Sequence, residues 1–337
     1  MKAVVLAEPL HFVVEERQQP EPGPGEALLR VRAVGICGSD QHAYQGQQPF
    51  LTYPRVLGHE VCVEVVALGP TTTGYEIGQR VVVDLVINCG QCYPCRIGRP
   101  NCCVKVQVMG VHVDGGMAEF LTAPLARLYP VPVDLTDDEA ALIEPMTIGC
   151  QAVARGEVAA DETVLIIGSG PIGLVCLLAA RARGARVIAT DLLDSRLQLA
   201  RELGAEATVN AERDSLPEAL AELTHGEGAN VVIEAVGVPA TVESAIESVS
   251  AAGRVVLLGL GQKPVSFVPA ALIRKEMDIR TSRMSARRFP EALRLVAAEH
   301  LPLARLITHR MLLASAADAF DLLARRPDEA CKIVLHP

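Results

Sequence analysis

Residues 164–173 read VLIIGSGPIG, an apolar run that stops at three glycines spaced G-x-G-x-x-G and passes straight into a helical stretch. No other feature narrows the fold as much. A strand that feeds a tight glycine turn into a helix N-terminus is a unit of parallel α/β structure. Gly168, Gly170 and Gly173 allow the turn and a close backbone approach. Pro171 and Ile172 open the helix, whose free N–H groups suit a pyrophosphate. The next strand-like run, RVIATD, ends on Asp191, about 20 residues further on, where a carboxylate binds adenosine ribose hydroxyls. That carboxylate would repel a 2′-phosphate, so NAD is expected rather than NADP. Arg196 could accept such a phosphate; beside Asp191 it reads as packing against the adenine. The alternative is an α/β fold with a glycine turn and no nucleotide.

The alternation continues around this unit. From 163 to 259, strand-like runs (TVLIIG, RVIATD, 207–209, NVVIEAVG, RVVLLG) alternate with helical stretches up to about 183 and at 194–203, 216–223 and 241–249. This pattern predicts a doubly wound parallel sheet with helices on both faces, over residues 151–283. Residues 1–150 read instead as β-rich. Short apolar runs at 4–6, 27–34, 61–68 and 80–86 are separated by turn clusters such as PEPGPGE at 20–26, and a turn followed by a strand is expected over 108–127. Helices at 290–299 and 314–323 and a strand at 331–335 follow, and residues 284–337 are expected to complete the first domain.

A length of 337 residues suits two domains. The formal charge of −9 argues against nucleic-acid backbone binding, and the absence of Trp gives no base-stacking platform. The N-terminal MKAVVLAEPLHF has too short an apolar run for a signal peptide, and no run reaches membrane-span length. A cytoplasmic protein is expected, with its ten cysteines reduced or on metal.

Two clusters carry metal chemistry. GICGSDQHAYQGQQPFLTYPRVLGHE, residues 35–60, gathers Cys37, His59 and Glu60. A thiolate, an imidazole and a carboxylate form a catalytic zinc shell that leaves one position open. Ser39 and His42 in the same stretch could carry a proton away. Cys89, Cys92 and Cys95 are followed by Cys102 and Cys103. Four thiolates suit a closed structural zinc site, and spacing alone leaves Cys102 and Cys103 open as the fourth ligand. A redox CxxC is the rival reading, but it would not call for a third and fourth cysteine. Cys62, Cys150, Cys176 and Cys331 read as buried, inert thiols.

Taken together, Cys37-Gly38-Ser39-Asp40, Gly58-His59-Glu60, the cysteine lobe, Gly115-Gly116-Met117-Ala118-Glu119, Glu144-Pro145 and GSGPIG with Asp191 resemble the zinc-dependent medium-chain dehydrogenase/reductase superfamily over essentially the whole chain. CGSDxH, YPRVLGHE, VHVDGG and Ser282-Arg283-Met284 resemble its sorbitol/threonine dehydrogenase branch, nearest to bacterial sugar-acid enzymes of the L-galactonate 5-dehydrogenase type. The resemblance implies a Rossmann domain beside a GroES-like catalytic domain, with one catalytic and one structural zinc per subunit. It implies Cys37, His59 and Glu60 as catalytic ligands, Glu144 as a carboxylate on or beside the metal, and Cys103 as the fourth structural ligand. Ser39 would bond the substrate oxygen, His42 would relay the proton, and Asp40 would orient a ligand. It also implies a homodimer or homotetramer. The expected reaction is oxidation of a secondary alcohol of a sugar acid or polyol to a ketone, with NAD as acceptor. L-Threonine or a simple polyol is the alternative substrate, and an NAD-sensing binding protein the alternative outside enzymes. A sugar acid carries a carboxylate, for which Arg55 and Arg283 offer planar forks; both could equally be surface arginines. His112 is either a substrate contact or a solvated loop residue.

Overall fold

The structure is a computed structural model that describes residues 1–337. The chain divides into two compact units, residues 1–144 with 296–337, and residues 145–295. Both chain crossings fall inside helices, Ile143–Arg155 and Phe289–Ala298.

The first unit is built on β-structure. Its larger sheet runs in the order Leu128–Pro130, Arg80–Val83, Glu60–Leu68, Glu26–Gly35, Lys332–His336, Ile307–Leu312, with Phe120–Pro124 also paired to Glu26–Gly35. A smaller sheet joins His11–Glu16, Lys2–Glu8 and Arg55–Val56. Valines and leucines that alternate along these strands make one core, which includes Leu29, Val63, Met117 and Phe320. Two pairings bring distant parts of the chain together at Gly35. Glu60 lies opposite it on one neighbouring strand, and Val334 of the last strand lies opposite it on the other. The chain's end is thereby brought beside the start of its cysteine-histidine stretch. Gly35 is required there by close approach: a Cβ would lie 2.1 Å from Glu60 Oε2.

The second unit holds a six-stranded sheet, every neighbouring pair parallel, in the order Ala207–Asn210, Arg186–Asp191, Thr163–Ile167, Ala229–Glu234, Val249–Leu257, Asp278–Thr281. Thr163–Ile167 is buried at all five positions, as a strand covered on both faces must be. In chain order this is 3-2-1-4-5-6, the doubly wound arrangement whose ligand crevice lies at the carboxyl ends of the strands. Helices Pro171–Arg181, Asp194–Glu202, Leu216–Leu223, Pro239–Ser248 and Pro269–Lys275 lie in the five crossovers. No helix is long and apolar enough to cross a membrane.

Candidate metal centres and dinucleotide site

Cys37 leads into a short helix, Gly38–Tyr44. Asp40 sets that start: its Oδ2 accepts the Cys37 N–H at 3.0 Å. Its Oδ1 faces His59 Nδ1 at 3.5 Å, and Asp40 is almost wholly buried. The other ring nitrogen, Nε2, lies 3.4 Å from Ser39 Oγ, and the Cys37 thiol is in hydrogen-bonding contact with the same side chain. A carboxylate beside one imidazole nitrogen, a hydroxyl beside the other and a thiol in contact with the side chain suit a metal-binding histidine. Burial pulls the His59 pKa down, but Asp40, Cys37 and Glu144 overcome it and raise it well above the ordinary value. For Asp40, burial pushes the carboxyl up, partly offset by His59.

Glu60 has no exposed surface, and both its oxygens lie 2.8 Å from Lys332 Nζ. That ammonium also donates to Ile36 O at 2.9 Å. Burial lowers the Lys332 pKa, yet Glu60 and Cys37 raise it overall. Glu144 keeps some surface open, but desolvation raises its carboxyl to about 7, opposed by the charge of His59. The donors here (one thiolate, one imidazole and two carboxylates) fit a zinc ion: Cys37, His59 and Glu60 would hold it, with Glu144 as a further oxygen donor. Sequence reasoning passed over Lys332. The signal was a lone lysine opening the apolar strand KIVLH, since a lysine buried in such a strand must be paired.

Ser39 and His42 sit three residues apart on the same helix, hence on one face, with His42 exposed. Arg55 donates to Asp114 at 3.2 Å and to Thr52 at 3.1 Å, so its fork already has partners. His112 accepts the Val108 N–H at Nδ1, which leaves Nε2 as the donor in the neutral ring, and it stacks on Phe50 at 6.2 Å. Arg283 lies in the second unit, exposed, just past the strand Asp278–Thr281 and next to Met284, whose φ is +46°.

In the cysteine lobe, the sulfurs of Cys89, Cys92, Cys95 and Cys103 all lie within 4.8 Å of one another, and Cys102 is not among them. Backbone N–H groups point at the sulfurs: Cys92 N–H at Cys89 Sγ (3.4 Å), and Cys89 and Lys105 N–H at Cys103 Sγ (3.3 Å each). Such donors favour thiolate. The N–H groups of Gln91 and Cys92 bring Cys89 down to about 6, and those of Cys95 and Val104 lower Cys92. Desolvation takes Cys95 up to about 11. Four converging sulfurs with N–H support fit a closed tetrahedral zinc.

At the second unit's carboxyl edge, Gly168 adopts φ +94°, and a Cβ on Gly173 would lie 1.8 Å from Gly168 O. The turn therefore demands glycine at both places. A Cβ on Gly170 would meet nothing within 4 Å, so that position faces a cradle which a side chain would fill. Asp191 Oδ2 accepts the Ser169 N–H at 2.7 Å, and Oδ1 accepts those of Leu192 and Leu193, tying the acidic residue to the turn. Arg196 follows on the helix Asp194–Glu202. Three buried polar atoms without hydrogen-bond partners (Thr190 Oγ1, Glu234 Oε2 and Ser282 Oγ) all lie at this edge. Cradle, acidic partner and unpaired polar atoms fit a dinucleotide.

Comparison with known proteins agrees with this geometry. Residues 23–133 match the alcohol dehydrogenase GroES-like domain family, and residues 171–298 match the zinc-binding dehydrogenase family. The chain is 36% identical to the starvation-sensing protein RspB of Escherichia coli K12, over 99% of each chain. It is also 36% identical to L-galactonate-5-dehydrogenase of the same organism, over 95% of this chain and 94% of that one. A crystal structure of an alcohol dehydrogenase (RspB) from E. coli CFT073, complexed with NADH, superposes with a TM-score of 0.95 at 35% identity, covering 100% of this chain and 99% of that one. The chain therefore belongs to the zinc-dependent medium-chain dehydrogenase family, NAD-dependent oxidoreductases of the alcohol dehydrogenase type.

Proposed function

We propose that this enzyme oxidises a secondary alcohol of a sugar acid or polyol to the ketone and reduces NAD. The observation that carries this reading is His59, whose Nδ1 faces Asp40 Oδ1 at 3.5 Å, whose Nε2 lies 3.4 Å from Ser39 Oγ, and whose side chain contacts the Cys37 thiol. When bound, zinc supplies the Lewis acidity that acidifies an alcohol hydroxyl, and the dinucleotide supplies the hydride acceptor. The chain's residues do the rest. Asp40 holds the His59 ring in one orientation. Lys332 neutralises and anchors Glu60. Ser39 Oγ takes the substrate proton and passes it towards His42, one helical turn on, whose exposed ring releases it to solvent. Glu144, with its carboxyl near 7, can hold or release a proton beside them. Asp191 favours NAD, because a 2′-phosphate there would face its carboxylate.

A sugar-acid substrate is supported by the likeness to L-galactonate-5-dehydrogenase. Arg283, whose exposed side chain carries a planar fork suited to a carboxylate, is the arginine we assign to it. Wild type should show a higher kcat/KM on a hexonate than on the matching neutral polyol, and Arg283→Ala should erase that preference. An equal loss on both substrates would remove Arg283 from substrate recognition. We further infer a homodimer or homotetramer, and a reducing compartment such as the cytoplasm, which would suit the free thiols of the lobe.

A further inference from the structure

The strand Ala229–Glu234 ends on a carboxylate with no exposed surface. Glu234 Oε1 accepts three donors: the N–H of Val236 at 2.9 Å, that of Gly237 at 2.7 Å, and the Thr241 hydroxyl at 2.7 Å. Oε2 is buried without a hydrogen-bond partner. Its backbone carbonyl accepts the N–H groups of Leu258 and Gly259 at 2.9 and 3.1 Å. Burying a carboxylate costs solvation, and three donors on one oxygen offset part of that by fixing the turn 235–238.

That turn closes against the glycine turn of the dinucleotide site. Glu234 is in register with Ile167, and the Ala235 N–H donates to Ile167 O at 2.9 Å. A Cβ on Gly168 would lie 2.5 Å from Val236 Cγ2. On the other side, a Cβ on Gly259 or Gly261 would lie 2.2 or 2.1 Å from the Gly237 backbone. Clamped between these contacts, the turn presents Val236 and Val238, each 46% exposed although apolar. The sheet order says which half of a dinucleotide they would meet. Asp191 ends the strand on one side of Thr163–Ile167, and Glu234 ends the strand on the other. With the adenosine ribose on the Asp191 side, the turn 235–238 falls on the nicotinamide side.

We propose that Glu234 is a positioning residue for the nicotinamide half of the cofactor: through the turn 235–238 it holds Val236 and Val238 as an apolar wall beside the glycine turn. This rests on the dinucleotide reading of the site. The test is calorimetric binding of NADH and of ADP-ribose, which lacks the nicotinamide, to the full chain. Glu234→Ala should weaken NADH roughly 10-fold while ADP-ribose changes less than about 2-fold, the loss expected when hydrogen bonds to a charged acceptor are removed. Glu234→Gln keeps an acceptor oxygen and should stay within about 3-fold of wild type for NADH. Thr241→Val, which removes one donor, should fall between the two. Equal weakening of both ligands would make the turn a general structural element and overturn the proposal; so would unchanged NADH binding. If Glu234→Ala does not fold, the same split in Thr241→Val decides. Wild type that binds neither ligand would instead overturn the dinucleotide reading, and the proposal with it.

Discussion

Lys332 and Glu60 form an ion pair that water does not reach, across 272 positions of sequence. Removing one partner from such a pair leaves a buried, uncompensated charge, which typically costs about 3–5 kcal/mol. Lys332→Met should lower the unfolding free energy by about that amount in denaturant titrations. The double variant Glu60→Gln/Lys332→Met should recover much of the loss, because no lone charge remains. A single variant as stable as wild type would mean that Glu60 is not ionised in the fold. Cys37, Ser39, His59 and Glu60 were legible as a group because they share one short stretch with metal-ligand chemistry. Lys332 was not, because only the pairing of the last strand with Glu26–Gly35 brings it there. Glu234 was hidden for a similar reason: it reads as the polar end of an apolar strand, and its donors come after it, two from the turn 235–238 and one from Thr241 in the helix that follows.

The parallel sheet was the most legible group of elements, since glycine turns and apolar runs punctuate it regularly. Elements held by caps or neighbours were not. Gly38–Tyr44 has no apolar periodicity and opens on glycine; its start depends on Asp40 bonding back to Cys37. The edge strand Asp278–Thr281 reads DIRT, half charged, and is a strand because it pairs with residues 254–257. In the cysteine lobe, geometry separates what spacing could not. Cys103→Ser should lower bound zinc by about one equivalent per chain, whereas Cys102→Ser should leave it unchanged; the reverse result would assign Cys102 as the ligand. The helix Asp137–Ala141 is tied to the first unit's sheet by Asp137, which bonds Arg80 at 3.0 Å and Arg32 at 3.2 Å. Burial opposes ionisation of Asp137, but the two arginines win and hold its pKa below the ordinary 3.8. A depressed carboxyl contributes stability that is present above its unfolded pKa and is lost as pH falls through its folded one. Melting temperatures should therefore fall more steeply below about pH 4 in wild type than in Asp137→Asn. Parallel curves would show that the arginines do not stabilise the carboxylate.

Across the whole chain, sequence patterning pointed to a β-rich portion and a parallel α/β one, because strand-like runs alternate with helical stretches only from about residue 163 onwards. Substrate identity was less legible. No spacing rule sets the roles of loop side chains such as His112 and Arg283. One assay decides whether the Cys37–His59 site drives metal-dependent oxidation of an alcohol by NAD. NADH formation is followed over hexonates, polyols and L-threonine, with protein that is zinc-replete, chelated, and chelated then resupplied with zinc. Metal-dependent oxidation requires a signal on at least one sugar acid or polyol that disappears on chelation and returns with zinc. Full activity in metal-free protein, or silence on every substrate from protein that binds NADH, would contradict it.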